Sequence, residues 1–205
     1  SRRIAETLGM PRSSIEKIEQ AALLHDIGKI ESVYTSILSK PDALTREERV
    51  IIQSHVTKGE ALLRNLSSFP EDLILAVRHH HEKEDGSGYP DGLIGDRIPA
   101  GARIISVCDA VDAMLSDRPY RSALSITAVL EQVRGNSGTQ FCPRMVDALV
   151  GSDLIAEYAD IMRASRDSGA AGATMNLDDR RNPDVRSRPV HYRRTAAARF
   201  RQEVS

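Results

Sequence analysis

Apolar residues fall at helical spacing in one segment of this chain after another, and no segment alternates apolar and polar residues as a half-buried strand would. From Ser13 or Ser14 as N-cap, Ile15, Ile18, Ala22, Leu23 and Ile27 carry the helical period up to Gly28. Thr45 with Glu48 writes a capping box, and the period continues through Val50, Ile51, Val56, Ala61, Leu62 and Leu66 with His55 in mid-helix. Pro70, Glu71 and Asp72 open a third helix, which runs through Leu73, Ile74, Ala76 and Val77 into three consecutive histidines. Ile104, Val107, Cys108, Val111, Met114 and Leu115 mark a fourth. Its first half is β-branched, but a period sustained over several turns decides for helix. Further helices are expected after Ser125, after Pro143 and from Asp153 to Ala164, so the predicted class is all-α, a helical bundle.

The chain of 205 residues is long enough for one generous domain, or for a domain and a tail. Beyond Ser165 the composition shifts to Gly, Ala, Ser and arginine, too poor in apolar residues to offset ordering entropy. The expected division is therefore a helical domain over 1–164 and an Arg-rich, disordered tail over 165–205. A formal net charge of −1 argues against a dedicated nucleic-acid surface. Two cysteines, Cys108 and Cys142, suit a reducing cytosol better than a disulfide framework. No apolar run approaches the roughly 20 residues a membrane helix needs. The chain opens on Ser1 inside what reads as a helix, and is expected to be a fragment of something larger.

Five of the six histidines, His25, His55, His79, His80 and His81, fall in the first half of the chain, all on expected helices. Asp26 follows His25, and Asp109 and Asp112 share a face one turn apart. A single histidine of this kind is ordinarily hydrogen-bonded or at the surface, but five with these carboxylates form a ligand set for divalent first-row ions. Successive helical residues point about 100° apart, so adjacent rings are expected to diverge toward two neighbouring ions. Three in a row cannot all face one centre, and His79 is left as an outer or exposed residue. The loop from Lys83 to Pro99, with four glycines and two prolines, cannot be regular structure.

Five blocks give these residues a family resemblance: AALLHDIGKI at 21–30, HVTKGEALL at 55–63, HHEKEDGSGYPDGLIGDRIP at 80–99, ARIISVCDAVDAMLSDRPYR at 102–121 and FCPRMVDAL at 141–149. In this order and spacing they resemble an HD-GYP domain, a branch of the HD superfamily of metal-dependent phosphohydrolases. The resemblance implies an HD-type bundle with a central site of two or three divalent ions, iron, manganese or similar. It implies a cytoplasmic phosphodiesterase that hydrolyses cyclic di-GMP to pGpG or GMP, with water attacking phosphorus. Carried over by position, the metal ligands are His25, Asp26, His55, His80, His81 and Asp109, with Asp26 bridging. Asp26 and Lys29 would be catalytic. Lys29, Asp112, Arg118 and Arg121, with Gly88, Tyr89 and Pro90 of the named loop, would face the substrate. For Tyr89, a rigid turn packed on the bundle is the equal alternative to ligand contact. Expected partners are GGDEF-type or other signalling proteins and an upstream sensory or receiver domain.

Three departures accompany the match. The family carries a further ligand histidine, and in trimetal members a glutamate, before the point where this chain begins. IESVYTSIL follows Lys29 in place of a shorter stretch, a loop bordering the site, and Val56 replaces the usual proline after His55. They keep open a module that binds metal or cyclic dinucleotide without turnover, and an HD phosphohydrolase of different substrate.

Overall fold

The helical period becomes ten α-helices in a computed structural model, which describes residues 1–40, 42–66, 68–117 and 122–171, without the side chains of 162, 163 and 165–171. They are α1 (Arg2–Thr7), α2 (Arg12–Leu24), α3 (Ser32–Leu38), α4 (Arg46–Gln53), α5 (His55–Asn65), α6 (Glu71–His79), α7 (Ala100–Leu115), α8 (Ile126–Gly135), α9 (Pro143–Val150) and α10 (Leu154–Ala171). Short 3-10 turns at Ile27–Lys29 and Gly95–Arg97 complete the order, and among the described residues there is no strand beyond one isolated bridge, Ser137 to Phe141. Two units emerge, Ser1–Met162 and Arg163–Ser205. The first carries the fold. Of the second, only the last turns of α10 are described; the tail expected over 165–205 therefore starts as helix, to Ala171, and its remainder lies outside the described residues.

Two clusters of buried side chains hold the first unit together. One draws Ile4 from α1, Ile15 and Ile18 from α2, Val107 and Val111 from α7, Val129 and Val133 from α8, Met145 and Leu149 from α9 and Ile155 from α10. The other packs Ala21, Leu63, Leu73, Ile74, Val77 and Ile105 from α2, α5, α6 and α7. α2 and α7 thus contribute to both, with Ile104 in the first cluster and Ile105 in the second. A helix walled on two sides must be apolar over most of its circumference, which accounts for the β-branched run that mimics a strand in the sequence.

Local signals set several boundaries as expected. Thr45 Oγ1 accepts the Glu48 N–H at 3.2 Å while Glu48 Oε2 accepts the Thr45 N–H at 2.9 Å, a complete capping box. Ser125 caps α8 through the Ala128 N–H.

Other boundaries differ from expectation. α2 stops at Leu24 instead of reaching Gly28, because the 3-10 turn after it presses against the start of α5. A Cβ at Gly28 would collide with the His55 carbonyl oxygen, so only glycine permits this approach. The single helix expected through Leu66 is broken at Ser54, which makes His55 the first residue of α5. Pro70 is the N-cap of α6. The segment after Lys29, expected as a loop, contains α3. Cys142 is buried as a free thiol, whereas Cys108 is only half-buried.

Candidate metal centre

The backbone breaks just described put the histidines at helix ends. His25 is the C-cap of α2, His55 opens α5, His79 ends α6, His80 caps it and His81 lies in the following turn. They are therefore not all helical, and the neighbouring pair does not diverge. The His80 and His81 ring centroids are 4.1 Å apart, because the chain has left helical geometry between them. His25 and His80 rings are 5.1 Å apart, His55 and His80 5.3 Å, and His55 and His81 5.1 Å.

Three of these rings are oriented in the same way. His25, His55 and His80 each place Nδ1 on the carbonyl oxygen three residues back, Ala22 at 2.8 Å, Ile52 at 2.6 Å and Val77 at 2.7 Å. A carbonyl can only accept, so each Nδ1 carries the proton and each neutral ring leaves Nε2 as a lone pair. His55 and His80 are fully buried, and their Nε2 atoms face each other across 3.4 Å. Two acceptors at that distance repel unless a cation lies between or beside them.

The carboxylates complete the wall. Asp26 Oδ1 lies 3.4 Å from His55 Nε2, Asp26 Oδ2 3.7 Å from His25 Nε2, and Asp109 Oδ1, from α7, 3.7 Å from His25 Nε2. Asp26 Oδ1 is buried without a well-formed hydrogen bond, and Lys29 Nζ stands 2.7 Å away. Two groups of potential ligand atoms result, His55 with His80 and His81, and His25 with Asp26 and His80, the atoms in each lying within 4.8 Å of one another. The donor set is imidazole and carboxylate, with imidazole lone pairs aimed inward. These residues fit divalent first-row ions.

Electrostatics favour the neutral, ligating form of three of the four rings. Burial pushes His55 down, helped by the Lys29 charge, and pushes His80 well down, helped by His81. Burial takes His81 to about 4 against the opposing pull of Asp109. His25 goes the other way, since Asp109 and Asp26 outweigh its burial. Asp26 and Asp109 are held below the usual carboxylate range despite burial, by Lys29 and His25 for the first and chiefly by His25 for the second.

Tyr89 of the Gly-Tyr-Pro turn stacks on His81, with centroids 4.9 Å apart and planes 28° apart. Its N–H donates to the His81 carbonyl at 3.2 Å, and Gly88 sits where a Cβ would collide with Lys83 N, so the turn can fold back on the histidine pair. Burial and the two aspartates push the Tyr89 hydroxyl up, so it stays protonated. The peptide between Tyr89 and Pro90 is cis.

His79 is not spare. It is 6% exposed, with Nδ1 on the Leu75 carbonyl and Nε2 2.9 Å from Asp91 Oδ2. Arg78 grips both Asp91 oxygens and reaches Glu60. Glu82, 2% exposed, accepts the Asp91 N–H at 2.7 Å and the Leu93 N–H at 3.1 Å. Glu82 and Asp91 carry no signal of their own in the sequence, beyond Asp91 following Pro90 in a turn. Asp112 accepts from the Tyr158 hydroxyl at 2.6 Å, in the wall of a cavity of about 390 Å³ that His25, Cys108 and Asp109 also line. Arg118 and Arg121 lie outside the described residues.

The HD domain profile matches residues 1–145. This chain belongs to the HD domain family. Within it, the sequence is similar to the cyclic di-GMP phosphodiesterase response regulator RpfG of Xanthomonas campestris pv. campestris, with 44% identity over 148 residues, 72% of this chain and 39% of the relative. A cyclic di-GMP phosphodiesterase of Thermotoga maritima is 39% identical over 168 residues, 82% of this chain and 45% of the relative. The 3'3'-cGAMP-specific phosphodiesterase 3 of Vibrio cholerae is 40% identical over 146 residues, 71% of this chain and 31% of the relative. The HD chain thus spans less than half the length of these relatives. Its fold is that of an HDG"Y"P protein from Bdellovibrio bacteriovorus, with TM-score 0.59 at 18% identity over 73% of this chain and 47% of that one. A cyclic GMP-AMP specific phosphodiesterase of Vibrio cholerae gives TM-score 0.58 at 20% identity over 87% of this chain and 49% of that one. The Gly88-Tyr89-Pro90 turn and the histidines it abuts place the chain in the HD-GYP branch. No described helix is long and apolar enough to cross a membrane.

Proposed function

We propose that this chain is the catalytic domain of a cytoplasmic metal-dependent phosphodiesterase that opens cyclic di-GMP to pGpG or GMP. The observation that carries the reading is the pair of buried Nε2 lone pairs on His55 and His80, facing each other beside the Asp26 carboxylate. The resemblance of two thirds or more of the chain to named cyclic di-GMP phosphodiesterases supports the substrate. His25, Asp26, His55, His80, His81 and Asp109 would hold two or three divalent ions, iron, manganese or similar. Such ions supply Lewis acidity at a phosphoryl oxygen and lower the pKa of water.

The chain's own groups do the rest. The depressed imidazole pKa values keep His55, His80 and His81 neutral at neutral pH, so that no proton competes for their lone pairs. Lys29, set against Asp26 in the same wall, places a fixed cation where negative charge develops on a phosphoryl oxygen. Arg118 and Arg121 would grip phosphates bidentately. Asp112 and the turn Gly88, Tyr89, Pro90 would border the substrate, Tyr89 offering a protonated hydroxyl. A receiver or sensory domain and GGDEF-type partners would belong to the longer protein.

The test is turnover of cyclic di-GMP by the purified chain with added Mn²⁺ or Fe²⁺, with 3'3'-cGAMP as a second arm. Linear pGpG or GMP is expected from the wild type and none from Asp26→Ala. Faster turnover of 3'3'-cGAMP would move the substrate assignment. Bound metal without hydrolysis of either dinucleotide would replace the enzyme by a binding module.

A further inference from the structure

The segment IESVYTSIL, which departs from the family pattern, forms α3, and α3 is fastened to the break that presents His55. Tyr34, at its centre, is 1% exposed, and its hydroxyl lies 2.9 Å from Ser54 Oγ. Ser54 is the residue between α4 and α5, and its own hydroxyl donates to the Ile51 carbonyl at 2.7 Å. A serine has one hydroxyl proton, so with that proton on Ile51 the Tyr34 hydroxyl must be the donor to Ser54. The next residue is His55, whose Nδ1 donates to the adjacent carbonyl, Ile52, at 2.6 Å. A second fastening lies one turn on, where Lys58 Nζ meets Glu31 at 2.8 Å and sits 5.3 Å over the Tyr34 ring.

We infer that Tyr34 is a positioning residue of the metal centre, acting through Ser54 to fix where α5 begins and therefore where His55 Nε2 points. The inference rests on the reading of His55 as a metal ligand. Its physical basis is that Ser54 carries the hydroxyl of the residue between α4 and α5, and a buried phenol pins that hydroxyl from outside both helices. Without the pin, Ser54 and the first turn of α5 keep their local bonds and the packing of Gly28 on the His55 carbonyl, but lose the contact that holds Ser54 from the α3 side.

The test measures apparent Mn²⁺ affinity by competition with a chromophoric chelator, alongside melting of the metal-free chain. Tyr34→Phe, which keeps the buried ring, and Ser54→Ala should each weaken Mn²⁺ binding roughly 10-fold, at the lower end of what partners of ligating histidines contribute. Because both remove one shared bond, the double variant should be no weaker than either single. Ser54→Thr, which keeps the hydroxyl, should retain wild-type affinity. Affinity within twofold of wild type in Tyr34→Phe and Ser54→Ala, with His55→Ala binding weakly, overturns the inference, whatever happens to melting. Unchanged affinity in His55→Ala overturns the ligand reading instead.

Discussion

Two clusters of histidine and carboxylate lie side by side in this fold, and the chain passes directly from one to the other between His79 and His80. In the first, His79, Glu82 and Asp91 come close enough to hold an ion. Every acceptor there is already used, Asp91 by Arg78 and His79, and Glu82 by two backbone N–H groups. In the second, the Nε2 atoms of His55 and His80 face each other across 3.4 Å as two lone pairs. Proximity of ligand types is thus common to both, and the facing imidazole lone pairs distinguish the candidate metal centre from a structural clasp. The clasp secures the loop whose Tyr89 rests on His81, so it serves the centre without belonging to it.

The comparison can be broken first at Glu82. Its two charge-assisted hydrogen bonds are buried, so Glu82→Ala should cost about 3 kcal/mol of stability in denaturant titration. Metal bound per folded chain should stay as in wild type. Loss of metal with stability intact would make Glu82 a ligand and erase the distinction between the clusters.

Acid sharpens it next. His55, His80 and His81 have lowered pKa values in the folded chain, His81 to about 4, against an ordinary 6.5. As pH falls from 6.5 toward 4 the unfolded chain takes up protons that the folded chain refuses, so stability falls with pH in that window. His25, raised, works against this, its contribution being complete below 6.5 and lost as pH rises through its folded value. Three groups outweigh one, and the melting temperature of the chelator-treated chain should drop from pH 6.5 to 4. Glu82→Ala should lower the whole profile without flattening it, whereas His81→Ala should flatten it.

The smallest effect is far from either cluster. Thr45→Ala removes the cap of α4 and should cost about 1 kcal/mol in thermal or chemical unfolding, leaving metal content unchanged. A change in metal content would mean that α4 influences His55 by a route other than Ser54.

The contrast between Thr45 and Ser54 also shows what could be read from the sequence. The cap of α4 is local, written in Thr45 and Glu48, and it forms as expected. The bundle class and the gathering of His25, Asp26, His55, His80, His81 and Asp109 follow from helical period and a family resemblance. The break at Ser54 and the early end of α2 at Leu24 have no local signature, since they answer to Gly28 pressing on the His55 carbonyl. Without those breaks His25 and His55 would sit in mid-helix. The hydrophobic period continues across both breaks because the same faces remain buried, so a pattern of apolar residues does not register them. The clasp was illegible for a related reason, as Glu82 and Asp91 gain their meaning only when the loop closes.

Metal bound per chain in His80→Ala and His79→Ala, measured by elemental analysis after loading with Mn²⁺ and desalting, tests the central claim most directly. His80 contributes to both groups of ligand atoms and His79 to neither. The account predicts that His80→Ala loses most of its metal while His79→Ala, though less stable, keeps the wild-type content. Equal metal content in the two variants would contradict it.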